Sequence, residues 1–82
     1  MARVRFLGPS NQRLKPHPTE VDCEYAVVDD NGIRLLHLST FGSDDRASER
    51  KSSQSLQFDA ERARQLVEII QRTFPHLSSR PH

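Results

Sequence analysis

Hydrophobic and polar residues change their spacing several times along this chain, and the changes mark its elements. Residues 2–7 alternate, with Val4 and Phe6 on one side and Arg3 and Arg5 on the other, which predicts a short strand. Pro9, Pro16 and Pro18 follow among Ser10, Asn11 and Gln12, a composition suited to a linker or an extended arm. Asp30-Asn31-Gly32 is the clearest local signal, because Asn-Gly accepts the positive φ angles of a type I′ hairpin turn. With Asn31-Gly32 as a two-residue loop, Asp30 faces Ile33, Asp29 faces Arg34, Val28 faces Leu35, Val27 faces Leu36 and Tyr25 faces Leu38.

That register sorts the hairpin into two faces. One collects Cys23, Tyr25, Val27, Leu36, Leu38 and Thr40, and every large member is apolar. Asp29 and Arg34 are expected to close its outer end as a cross-strand charge pair. The other collects Ala26, Val28, Leu35, His37, Ser39 and Phe41. Half of that second face is apolar, unlike the cleaner alternation of a sheet with one wet side, so it is expected to meet the basic arm, a partner or a ligand.

A third hairpin-linked strand is predicted at Ser53 to Phe58, with Gln54, Leu56 and Phe58 pointing one way. Asp59 suits an N-cap, and Glu61 suits the first turn of the helix that follows. Ala63, Leu66, Val67, Ile70 and Phe74 make one helical stripe, which Pro75 ends. The expected fold is therefore α+β: a small antiparallel sheet of three or four strands with one C-terminal amphipathic helix packed on one face. The stripe is expected to cover Tyr25, Val27, Leu36, Leu38, Leu56 and Phe58. Residues 1–20 form a basic arm or first strand plus linker, 21–75 a compact β-β-β-α domain, and 76–82 a flexible tail.

Composition narrows the function. The chain has 82 residues, 34% of them hydrophobic, enough for one small domain with a thin core. Domains of this size gain only about 3–5 kcal/mol from one core, so a homodimer is expected. Net charge is +1, with 12 Lys+Arg against 11 Asp+Glu, which excludes a generically basic DNA wrapper. That balance conceals segregation: residues 1–19 carry +4 and residues 20–45 carry −6. Mean hydropathy is −0.72, and no apolar run approaches the roughly 18 residues of a membrane span. A single cysteine, Cys23, and no readable signal peptide point to the cytoplasm.

His17, His37, His76, His82 and Cys23 have no structural-zinc spacing, so no metal or other cofactor is expected. Asp44-Asp45 would suit a metal-dependent nuclease, but neighbouring acids do not converge by themselves, and a loop explains them. His37 and Ser39 share a strand face without a third group or an oxyanion loop. An enzyme is not expected. Arg46, Arg50 and Lys51 form a basic loop between strands, beside the polar positions Ser53, Ser55 and Gln57. A polar sheet face with basic edges and a ring suits a single strand, because bases stack on rings and phosphates meet arginines.

The passage from strand Leu35 to Phe41, through the basic loop Arg46 to Lys51 and strand Gln54 to Phe58, into a helix led by Asp59, resembles the transcriptional coactivators of the Positive Cofactor type. The resemblance spans Ile33 to Phe74, about half of the chain, and includes Ser55-Leu56-Gln57-Phe58-Asp59-Ala60-Glu61 at the strand-to-helix passage. It implies single-stranded DNA held across the β-surface of a dimer. Arg46, Arg50 and Lys51 would meet phosphates, Arg3 and Arg5 would support them, Phe41 would stack, and Ser55 and Gln57 would line the surface. The rival expectation is a protein-interaction module that presents Ala26, Val28, Leu35 and Phe41 to a subunit or partner, with the acidic hairpin steering a basic partner.

Overall fold

The computed structural model describes residues 1–42 and 52–79. Their elements run β1 (Ala2–Arg3), β2 (Asp22–Asp30), β3 (Ile33–Phe41), β4 (Gln54–Phe58), α1 (Ala60–Thr73) and a 3₁₀ turn, Pro75–Ser79. This is a small α+β fold with one four-stranded sheet in the order β1-β4-β3-β2. Strands β2, β3 and β4 are antiparallel neighbours, as expected. The first strand makes the sheet mixed: β1 pairs parallel with β4, placing Ala2 beside Leu56 and Arg3 beside Gln57. The pairing continues one residue further, where Val4 N–H donates to the Gln57 carbonyl at 2.8 Å.

The hairpin follows turn chemistry. Asn31 and Gly32 have φ of 53° and 86°, the left-handed pair that a type I′ turn needs. Every opposed pair from Asp30↔Ile33 to Asp22↔Phe41 follows from that turn. Asp29 and Arg34 stand opposite each other, yet they form no ion pair among the described residues. Both are exposed, and an exposed pair gains too little to hold two side chains together. Asp30 is the residue that is bridged, by Arg3 at 3.2 Å. As an edge strand, β2 also gives its acids a structural purpose, since charges along an open edge discourage further strand pairing.

Asp59 caps α1 with extended backbone, and its carboxylate accepts from Arg62 N–H at 2.8 Å. Asp59→Ala is expected to cost about 1 kcal/mol; urea denaturation followed by circular dichroism would measure it. On the exposed face of α1, Arg64 binds Glu61 and, at 2.8 Å, Glu68. The hydrogen bond and charge of Arg64 hold the Glu61 carboxyl below its usual range. This contribution is present above the ordinary carboxylate range and is lost as pH falls through the lowered value. Pro75 opens the 3₁₀ turn, and Leu77 N–H donates to the Phe74 carbonyl at 3.0 Å.

The core departs most from expectation. Among the described residues only Leu35, 3% exposed, and Phe58, 6% exposed, are buried hydrophobics. Tyr25 and Val27, expected beneath the helix, are 77% and 63% exposed, and Leu56 is also open. The cause is the connection. Only Asp59 separates β4 from α1, so the helix starts at the Phe58 end of the sheet, where Val27, Leu36, Phe58, Ala60 and Ala63 frame a small apolar hollow. The helix is also rotated about its axis. Its half-buried residues include Arg62, Ala63, Gln65, Leu66 and Ile69, while Val67, Ile70 and Phe74 from the predicted stripe stay open. The N-terminal segment claims the Arg62 side: Arg62 Nε donates to the Arg5 carbonyl at 3.3 Å, and Leu7, Gly8 and Pro9 lie across a groove from Gln65 and Ile69.

Candidate nucleic-acid interface

The two sheet faces differ chemically, and strand alternation is the reason. The face toward α1 carries Tyr25, Val27, Leu36, Leu38, Leu56 and Phe58. The opposite face carries His37 and Ser39 from β3, Ser55 and Gln57 from β4, and Arg3 from β1. On that face Ser39 stands directly opposite Ser55, and His37 opposite Gln57. Gln57 Nε2 and His37 Nδ1 lie 3.0 Å apart and share a hydrogen bond in a half-buried setting. Ser39 is buried.

Two adjoining hollows make this face a trough. Arg3, His37, Ser55 and Gln57 line the first, of ≈ 370 Å³. His37, Ser39, Ser53 and Ser55 line the second, also of ≈ 370 Å³. Ser52, where the described chain resumes after Gly42, lines the second hollow too. At the mouth, Ser53 N–H donates to the Thr40 carbonyl at 2.9 Å and its hydroxyl meets Thr40 Oγ1 at 2.9 Å, pinning β3 to the start of β4.

Arg3 reaches across this face. It stands on one edge strand, and its partner Asp30 stands on the other. Both side chains remain about half exposed, at 48% and 52%. The ion pair therefore crosses the face that holds Leu35, the most buried hydrophobic residue described. The acids of β2 that alternate onto this face are Asp22, Glu24 and Asp30, so this side, which also holds Ala26, Val28, Leu35 and Phe41, is acidic only along β2. The trough occupies the other half, between β3 and β1.

The sequence-predicted site residues divide accordingly. Arg3, Ser55 and Gln57 come together in the trough with His37, which sequence patterning placed on this face without assigning it a ligand role. Phe41 is half-buried at the far end of β3, opposite Asp22. Arg5 lies apart, beyond β1, where its carbonyl is held by Arg62. Arg46, Arg50 and Lys51, together with Asp44 and Asp45, lie outside the described residues. Of the expected partner surface, Leu35 is buried within its own chain, Val28 and Phe41 are half-buried, and only Ala26 is open. Among the exposed apolar residues, Tyr25, Val27 and Leu56 stand on the other sheet face and Val67, Ile70 and Phe74 on α1, while Ile33 shares the face of Leu35 and His37.

Among the described residues no three His, Cys, Asp or Glu side chains gather to hold a metal ion, and no helix is long and apolar enough to cross a membrane. The chain matches no known family model, no curated protein and no solved structure.

Proposed function

We propose that this chain is a small non-enzymatic nucleic-acid-binding protein that prefers single-stranded DNA and acts as a homodimer. The resemblance to Positive Cofactor coactivators extends this proposal to transcription regulation. The polar trough carries the reading. It joins a guanidinium, an imidazole, an amide and four serine hydroxyls on one side of a sheet whose other side holds Tyr25, Val27, Leu36, Leu38, Leu56 and Phe58. Such a surface can meet phosphates and base edges together. The basic segment containing Arg46, Arg50 and Lys51 joins β3 to β4, the two strands that build the trough, and it would add phosphate contacts there.

Dimerisation is assigned to the opposite side. Tyr25, Val27, Leu56, Val67, Ile70 and Phe74 leave more apolar surface open than a core this small can offset. The same exposed residues favour a second reading, an accessory module that captures an apolar protein partner.

Fluorescence anisotropy with labelled single-stranded and duplex oligonucleotides of one sequence tests the proposal. Single strands are expected to bind more tightly, with a log–log salt slope of about −0.7 per neutralised phosphate between about 50 and about 200 mM salt. Arg3→Ala should weaken binding and remove roughly one such increment from the slope. No binding at low salt, or affinity independent of salt, would overturn the proposal.

A further inference from the structure

The His37–Gln57 couple constrains what the trough can take. An amide opposite an imidazole nitrogen has two neutral arrangements. In one, Gln57 donates to Nδ1, and His37 carries its proton on Nε2. In the other, His37 donates from Nδ1 to the amide oxygen, and Nε2 accepts. Either way the couple keeps an acceptor beside its remaining donors. Protonation removes that freedom. Both ring nitrogens then donate, so Gln57 must accept from Nδ1 through its oxygen and turn its NH₂ outward. The couple becomes a cation with donors only.

We propose that the hollow framed by Arg3, His37, Ser55 and Gln57 is a binding site for a phosphate oxyanion, completed when His37 is protonated. This rests on the single-strand reading for its physiological ligand, a backbone phosphodiester, although the chemistry serves any tetrahedral oxyanion. Arg3 is already at the hollow, paired beside Gln57 in the parallel register of β1 and β4. Ser55 adds a hydroxyl next to the couple. The charged groups around the imidazole favour this division of labour. Arg3 comes from β1 and Met1, with its amino group, stands before it at the same hollow, while Asp22, Glu24 and Asp30 come from β2 on the same face. Asp30 takes one guanidinium contact, at 3.2 Å, and Arg3 keeps further donors for a ligand. From β4 only the neutral Ser55 and Gln57 face the couple, and α1 lies on the other side of the sheet. The β2 acids oppose an anion, and the charge that protonation adds to His37 offsets them. Anion binding and protonation of His37 therefore reinforce each other.

The test follows the His37 ring by NMR in the whole chain and, in parallel, the affinity for a thymidine oligonucleotide, at about pH 5.5 and about pH 8. Sulfate, whose charge is constant over this range, serves as the free oxyanion. The oligonucleotide should bind about tenfold more tightly at the lower pH. His37→Gln, which keeps a polar partner for Gln57 but cannot titrate there, should lose that gain while its amide spectrum stays folded. An equal gain in His37→Gln would overturn the phosphate site and leave single-strand binding standing. Sulfate shifting the His37 resonances only at low pH, with no oligonucleotide bound, would support the site and remove the single-strand reading. Neither ligand disturbing His37 at low pH would overturn the site.

Discussion

Val67→Asp is expected to convert the dimer into a folded monomer. Val67 is 51% exposed within its own chain, so a carboxylate there meets water and the chain's own fold loses little. In the proposed dimer the same position faces a second apolar surface that includes Tyr25, Ile70 and Phe74. An unpaired carboxylate buried there costs several kcal/mol, and about 3 kcal/mol already weakens association more than a hundredfold. Sedimentation velocity should give about twice the 9.4 kDa chain mass for the parent and the single-chain mass for the variant. A parent that sediments as a single chain, or a variant that keeps the parent's mass, would contradict the assignment. The expected interface residue Leu35 makes an instructive contrast. It is 3% exposed, so Leu35→Asp should unfold the chain, an effect that says nothing about a partner.

Phe58→Ala is expected to be the most destabilising single truncation. Phe58 stands beside Leu36 and closes the sheet against the start of α1. Removing a buried phenyl ring costs about 3–5 kcal/mol. A core this small supplies about the same amount, so the variant should be largely unfolded at room temperature. Circular dichroism during urea titration reads the loss, and Phe6→Ala serves as the control because Phe6 is exposed. A Phe58→Ala midpoint close to that of the control would show that the stability lies elsewhere.

The parts of the fold that were legible in the sequence are local. Asn31-Gly32 dictates its own turn, and the nine-pair register of β2 and β3 follows from it without further information. Asp59 announces the helix start because a short acidic side chain can satisfy a helix N–H there. The parts that were not legible depend on contacts distant in sequence. Nothing near Ala2 and Arg3 specifies pairing with Leu56 and Gln57, more than fifty residues away. The apolar stripe of α1 shows that the helix has a buried side, but its rotation depends on what competes for that side. Here the backbone at Arg5 draws Arg62 inward and leaves Val67 and Ile70 open. The candidate site divides in the same way. Alternation places Ser55, Gln57 and His37 on one face, as the patterning implied. The tie between His37 and Gln57 needed the register of two strands that are not adjacent in sequence, and the arrival of Arg3 needed the parallel edge strand.

The proposed function gives the sheet two tasks, one face for a second copy and one for a single strand. Backbone amide shifts recorded while a thymidine oligonucleotide is added to the labelled protein test that division most directly. The predicted result is a set of perturbations at Arg3, His37, Ser39, Ser55 and Gln57, with Tyr25, Val67, Ile70 and Phe74 undisturbed. Perturbations confined to the helix side, or none at saturating oligonucleotide, would contradict it.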